Sequence, residues 1–386
     1  MWRAKRLEEL PPYLFVEIDR RKQAAQEAGR DLIDFGIGDP DQPTPDFIVQ
    51  RMAQAVGNPA THRYPSTPGT FEFRQAAARF IGKRFGVDLD PQGEVLSLLG
   101  SKEGIGHLPT ALVNPGETVL VPDPGYPVYA SGVTLAGGTC HTMALHEDRG
   151  WLPALDEIPT DVARNAKLMY LNYPNNPTGA CAPLHFLKQA VAFAREYDLL
   201  IAHDAAYSEV YFADPPPSIL QVEHAREVCI EFHSLSKTFN MTGWRVAFVV
   251  GNRDALSSLG AVKANLDSGI FEAIQMAGIE ALENVDHSAV QAQVETYRRR
   301  RDILVPGLRT AGFSVATPQA TFYVWAGCPR GLDSMTVASR LLEEADIVAI
   351  PGVGFGPAGE GYVRFALTVN EKRTREAVKR MTHLEW

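Results

Sequence analysis

The sequence predicts an α/β fold in which a mostly parallel sheet is sandwiched by helices, with a smaller α+β domain beside it. Three observations lead there. From about residue 94, short apolar runs alternate with helical stretches, the pattern that builds parallel sheets from strand–helix–strand units. The polar residues Ser101, Tyr126, Asn176, Asp204 and Ser234 all follow the carboxyl ends of such runs, where open α/β sheets take their ligands. A chain of 386 residues also exceeds what one hydrophobic core organises, so a second lobe is expected. The expected division is an N-terminal arm with part of the small domain over 1–44, a large ligand-binding domain over 45–285, and a small C-terminal domain with its long linking helix over 286–386.

Taken in order, residues 1–30 read as a charged arm and a polar helix, hinged at Pro11-Pro12. A short strand over 32–35 runs into Gly36-Ile37-Gly38-Asp39-Pro40, where glycines allow a ligand close to the backbone. Residues 45–56 suit a helix with proline in its first turn. Arg63-Tyr64-Pro65 opens a loop, after which Phe73, Ala77, Phe80 and Ile81 share one helical face, a core stripe. The strand over 95–99 stops at Gly100; Ser101, Lys102, Glu103 and Gly104 follow, and a helix begins over 105–112. Such a junction offers free backbone N–H groups and a positive dipole end to an anion. It lacks the spacing of a nucleotide-binding P-loop, and taken alone such a junction is more often a plain strand–helix turn.

Further strands are expected over 118–121, 168–172, 199–203, 228–232 and 246–250, with a helix over 183–197 among them. A long helical stretch then runs from Phe271 towards Arg309, and the remainder carries strands near 321–325 and 362–367. Gly352, Gly354 and Gly356 lack the spacing and the following helix of a dinucleotide fingerprint, so they read as a flexible loop.

Composition narrows the function classes. An apolar fraction of 45% and a charged fraction of 22% are those of an ordinary soluble globular protein. A net charge of -9 argues against nucleic acid or an anionic membrane as partner. The one basic run, Arg298 to Arg301, lies in a helical segment and reads as a solvated face. Cys140, Cys181, Cys229 and Cys328 lie far apart, which fits a reducing cytoplasm better than a disulfide framework or a zinc site, and no metal is expected. Charges at Arg3, Lys5, Arg6, Glu8 and Glu9 precede any apolar run, so no signal peptide is expected, and no run approaches the about 18 residues of a membrane span.

The stretch from Ser234 to Arg245, between two apolar strands, holds the densest chemistry. A lysine beside a second cation has its ammonium form disfavoured, which suits Lys237 to nucleophilic work. Ser234, Ser236 and Arg245 add neutral donors and a fixed charged fork, a good set for a phosphate. Elsewhere stand Asp123-Pro124-Gly125-Tyr126, Tyr173-Pro174-Asn175-Asn176-Pro177-Thr178-Gly179 and Asp204-Ala205-Ala206-Tyr207.

In this order, the motifs resemble those of the fold type I, pyridoxal-phosphate-dependent class I/II aminotransferases, and the resemblance spans Gly38 to Arg364. It implies that Lys237 holds the pyridoxal aldehyde as an imine and later shuttles a proton, and that Asp204 keeps the pyridine nitrogen protonated. Tyr207 and Asn176 match the groups that hydrogen-bond the ring's phenolic oxygen, and Tyr126 the ring that stacks on the cofactor face. Ser101, Lys102, Ser234, Ser236 and Arg245 match the phosphate seat, to which the family adds a tyrosine from a neighbouring subunit, matched by Tyr64. A homodimer with shared sites is the implication. Arg364 matches the arginine that grips the substrate α-carboxylate, helped by the Gly38 N–H. Ala205-Ala206 departs from relatives, which often carry a proline there.

The implied reaction moves an amino group between an amino acid and a 2-oxo acid in two half-reactions sharing one site. Lys263-Ala264-Asn265-Leu266-Asp267-Ser268-Gly269 and Phe239 to Trp244 look most like LL-diaminopimelate aminotransferases, implying 2-oxoglutarate as acceptor and a place in lysine biosynthesis. Aspartate, alanine and aromatic aminotransferases share the cofactor motifs, as does a pyridoxal-dependent β-lyase, and these readings stay open because the distal pocket decides. A nicotinamide-dependent dehydrogenase would need the fingerprint that 352–356 lacks, and a regulator would need a DNA-binding segment longer than the basic arm.

Overall fold

Apolar strands that alternate with amphipathic helices bury both faces of a sheet, and the chain does so around one central layer. The computed structural model describes residues 2, 4–10 and 14–386, with the backbone alone for 14–19. The expected hinge at Pro11-Pro12, and Arg3 of the charged arm, lie outside the described residues. In chain order the strands are β1 (Ile33–Asp34), β2 (Val95–Leu98), β3 (Thr118–Asp123), β4 (Thr139–Ala144), β5 (Ala166–Asn172), β6 (Leu200–Asp204), β7 (Cys229–Ser234), β8 (Ala247–Gly251), β9 (Ser314–Val315), β10 (Tyr323–Gly327), β11 (Ile347–Val348), β12 (Ile350–Pro351) and β13 (Tyr362–Ala366).

The central sheet runs β2-β8-β7-β6-β5-β3-β4. Only β8 is antiparallel to its neighbours; the other pairs are parallel. Period-two alternation sends Leu168 and Tyr170 of β5 into one core and Met169 and Leu171 into the other. Helices Ser101–Leu112, Val128–Ala136 and Arg253–Leu266 cover the first face through Leu108, Val133 and Leu259. Phe71–Phe85, Leu184–Tyr197 and Glu272–Glu283 cover the second through Phe73, Leu187 and Ala277. Each large side chain so buried contributes about 1.5–3 kcal/mol.

A smaller sheet runs β12-β13-β10-β9, and β1 pairs in parallel with β11 beside it. Its core also takes in Tyr207 and Val210, from the segment that follows β6. Backbone bonds from Thr321 to Val210 and from Phe212 to Gln319, each 2.7 Å, tie that segment to the approach of β10. The two sheets are thus joined beneath the carboxyl end of β6.

The structure departs from the expected elements in several places. The helix after β2 starts at Ser101, not a turn later, so Ser101 and Lys102 belong to its first turn. The helical stretch after Phe271 is two helices, Glu272–Glu283 and Ser288–Thr310, because His287 caps a new start by accepting the Ala289 N–H at 3.1 Å. Strand β4 was not expected; it is an edge strand with exposed and half-buried polar side chains, so no apolar run marks it. Residues around Gly352 form two 3-10 turns, Gly352–Phe355 and Pro357–Gly359, whose backbones lie so close that a Cβ on Gly352 would sit 1.9 Å from the Gly359 carbonyl oxygen.

The run from Arg298 to Arg301 is a solvated face only in part: Arg298 and Arg299 keep access to solvent, the other two do not. Arg300 is buried and binds both carboxylate oxygens of Asp41 at 2.7 Å, while Arg301 lies over the Phe212 ring. A guanidinium fork matched to a carboxylate can be buried where an ammonium would be left short of partners.

Candidate active site

The carboxyl ends of the parallel strands open into a cavity of about 510 Å³ between the two sheets. Every residue expected at the site lines it except Tyr64. Tyr64 is 90% exposed on the surface of its own chain.

At one end, β2 turns at Gly100 into the helix that starts at Ser101. Gly100 takes φ 82°, and a Cβ there would meet Arg245 Nη2 at 2.2 Å, so only glycine lets the guanidinium lie across the turn. Arg245 is held by the carbonyls of Thr242 at 3.0 Å and Leu99 at 3.4 Å. Ser234 ends β7, and its Oγ accepts the Ser236 N–H at 3.3 Å. Ser101, Lys102, Ser234, Ser236 and Arg245 therefore share one wall, a set of donors suited to a phosphate dianion.

In the middle, Asp204 ends β6 and is 5% exposed. Tyr129 donates its hydroxyl to Oδ2 at 2.8 Å and Ala206 its N–H to Oδ1 at 3.2 Å. Asn172, at the end of β5, donates to the Asp204 carbonyl at 2.8 Å and accepts the Asn176 N–H at 2.9 Å. Burial raises the Asp204 carboxyl above the usual carboxylate range, although Tyr129 and Ala206 pull it down. Among the described residues no cationic side chain hydrogen-bonds to it, so a buried anion here fits a cationic ligand atom.

Lys237 reaches across to the other sheet, where its Nζ donates to the Gly38 carbonyl at 3.2 Å and stands 5.6 Å from the Phe322 ring centroid. The Tyr207 and Tyr323 hydroxyls are 3.3 Å apart, and burial, then Tyr323 itself, pushes the Tyr207 phenol well up. A Cβ at Gly38 would lie 2.1 Å from the Tyr323 hydroxyl, so that glycine is a close approach rather than a hinge. Arg364 on β13 donates to Asn176 Oδ1 at 3.0 Å and to the Gly36 carbonyl at 2.8 Å, with its guanidinium 4.2 Å from the Tyr323 ring. Tyr126 meets Tyr129 edge-on at 5.9 Å.

Tyr129, Asn172 and Tyr323 were missed as site residues. Asn172 could have been found, since it closes an apolar strand as Asp204 does. Tyr129 sits on a helix and Tyr323 on a strand of the second sheet, and nothing in their spacing points at Asp204 or Tyr207. The segment from Lys263 to Gly269 is folded around a fully buried ammonium, which binds both Glu103 oxygens at 3.1 Å and Asp267 at 3.0 Å. All four cysteines are free.

Pyridoxal phosphate combines a phosphate, an aldehyde and a basic ring nitrogen, and the cavity offers a donor wall, a lysine and a buried carboxyl in one space.

The family model described as aminotransferase class I and II matches residues 30–381. The chain is 53% identical over 385 residues to the LL-diaminopimelate aminotransferase of Syntrophobacter fumaroxidans, covering 100% of this chain and 99% of that one. It is 52% identical over 381 residues to the LL-diaminopimelate aminotransferase of Aquifex aeolicus, covering 98% of each. Among solved structures, substrate-bound BacF from Bacillus subtilis superposes with a TM-score of 0.94 at 36% identity, over 99% of this chain and 97% of that one. An aspartate aminotransferase mutant from Thermus thermophilus superposes with a TM-score of 0.93 at 27% identity, over 99% of each.

Proposed function

The chain belongs to the class I and II aminotransferases, and we propose that within this family it moves an amino group from LL-diaminopimelate to 2-oxoglutarate, a step of lysine biosynthesis. It is a pyridoxal-phosphate-dependent enzyme that acts on amino acids and 2-oxo acids. One observation carries the choice of donor: end-to-end identity of 53% to an LL-diaminopimelate aminotransferase, against 27% to an aspartate aminotransferase of the same fold.

The bound cofactor supplies an aldehyde to hold the substrate nitrogen and an electron-withdrawing ring. Lys237 is the residue that holds it. With the cofactor bound, the Lys237 amine would be the base placed to take the substrate Cα proton and, once protonated, the acid that gives it back. Asp204, buried and without a cationic partner among the described side chains, keeps the ring nitrogen protonated. Tyr207 and Asn176 would hold the ring oxygen, Tyr126 would pack on the ring, and Ser101, Lys102, Ser234, Ser236 and Arg245 would hold the phosphate. Arg364 and the Gly38 N–H hold the α-carboxylate, and that grip sets which Cα bond faces Lys237. Asn176 and Gly36 aim the Arg364 fork.

Tyr64, exposed on its own chain, completes the phosphate seat of a second copy, which makes the working unit a homodimer. Residues 45–285 form the large domain, and 1–44 with 286–386 the small one. A cytoplasmic setting fits the four free cysteines. Among the described residues no helix is long and apolar enough to cross a membrane.

A donor screen tests the reading. Purified protein supplied with pyridoxal phosphate is expected to form glutamate from LL-diaminopimelate and 2-oxoglutarate faster than from aspartate, alanine or aromatic donors. An inert LL-diaminopimelate beside an active aspartate would sink the choice of donor, and release of pyruvate and ammonia would point to β-elimination instead.

A further inference from the structure

Two cations line the small-sheet end of the cavity: Arg364, and Lys22 on the helix Leu14–Glu27. Lys22 Nζ lies 2.5 Å from Asp34 Oδ2, and each side chain is 19% exposed. Asp34 is itself aimed, since its Oδ1 accepts the Gly36 N–H at 2.8 Å where β1 pairs with β11. Two residues along the same run, the Gly36 carbonyl accepts Arg364 Nη2 at 2.8 Å. One short segment thus anchors both cations, Lys22 through a carboxylate and Arg364 through a carbonyl. The two anchors belong to one three-residue segment, so Lys22 and Arg364 face the same end of the cavity.

We propose that Lys22 takes the second carboxylate of a dicarboxylic amino or oxo acid whose first carboxylate lies on Arg364, with Asp34 as the residue that positions Lys22. This rests on the reading of Arg364 given above and deepens it to a substrate class. An ammonium has three N–H donors, so Lys22 can face Asp34 and a ligand carboxylate together. The same cavity is also lined by the apolar side chains of Val348 and Ile350, which suit the methylenes that separate two carboxylates. Donor and acceptor of the proposed reaction both carry a second carboxylate, and the five-carbon acceptor is the one the Lys22 comparison tests.

Glutarate and butyrate separate the idea from a merely structural ion pair, because they differ by that one charge. Binding of each to the holoenzyme is measured by titration calorimetry, and 2-oxoglutarate is compared with 2-oxobutyrate as acceptor, using whichever donor the wild type turns over. The wild type is expected to favour the dicarboxylate in both assays. In Lys22→Met, glutarate affinity and the KM for 2-oxoglutarate weaken by about tenfold or more, the scale of one charged hydrogen bond. Butyrate, 2-oxobutyrate and kcat move little; Lys22→Arg keeps the preference and Asp34→Asn loses part of it. An undiminished preference in Lys22→Met, an equal loss with both acids, or a wild type that binds both equally overturns the proposal. Arg364→Met is the contrast: weakening of both acids alike supports its role, and no weakening overturns that reading separately. A wild type that prefers another donor revises the donor and leaves the Lys22 comparison standing.

Discussion

Asp204 shows how much of the chemistry is set by one side chain's surroundings. Its two donors, Tyr129 and Ala206, do not offset the loss of water, and burial leaves its carboxyl raised above the usual range. The folded-state pKa lies above the unfolded one, so the stabilising form is the acid, and that contribution is lost as pH rises through the raised value. In cofactor-free protein, Asp204→Asn is therefore expected to melt higher than the wild type at neutral pH. The gap should close in acid, where Asp204 protonates. Melting curves at two pH values read this directly, and a gap that does not change with pH would refute it.

At the scale of elements, the seam between β6 and β7 is pinned by a buried carboxylate on the face of the sheet away from Asp204. Glu231 of β7 receives bonds from His203 of β6 at 2.9 Å, His233 at 2.8 Å, the Ser218 hydroxyl at 2.7 Å and the Ile219 N–H at 2.9 Å. Burial alone would raise this carboxyl, but the His203 and His233 bonds outweigh it and hold it well below the ordinary value. A depressed carboxyl contributes stability that is present above the unfolded pKa and lost as pH falls through the folded one, so the seam weakens only in strong acid. Glu231→Gln keeps the shape and removes the charge. It is expected to cost about 3 kcal/mol at neutral pH, leaving the histidine donors facing a weaker acceptor. A urea midpoint lowered at unchanged slope is the measurement, and a midpoint within error of the wild type would contradict it.

At the scale of the molecule, the site is assembled from two sheets and, on the proposed reading, from two chains. Lys237 comes from the central sheet and its acceptor, the Gly38 carbonyl, from the segment beside the small one. Tyr64 is exposed and does not line its own chain's cavity. Lys237→Ala is expected to abolish turnover, and Tyr64→Ala to weaken cofactor binding about tenfold, the loss of one hydrogen bond to a charged group. Unfolding and co-refolding the two variants should yield mixed dimers in which one site has both Lys237 and Tyr64 intact. Activity at low cofactor is then expected to exceed that of either variant alone. Mixtures that perform no better than Tyr64→Ala diluted by inactive chain would reject the shared site.

Much of this was legible along the chain because the relevant signals are local. Apolar runs over 168–172 and 199–203 mark β5 and β6 whatever surrounds them, and a strand's carboxyl end is a place defined by sequence, so Asp204 and Asn176 could be read directly. Edge strand β4 escaped because one face of it stays wet and its side chains are polar. The basic run around Arg300 was misread because the partner that makes its burial tolerable, Asp41, lies 259 residues away. The Tyr129–Asp204 and Tyr207–Tyr323 contacts likewise join elements distant in sequence, while Lys22 and Asp34 lie on neighbouring elements whose packing alone brings them together. Residue type and spacing determined which chemistry the chain can hold; the packing of one lobe on the other decided which groups face it and at what distance, because burial and proximity are properties of the folded chain alone.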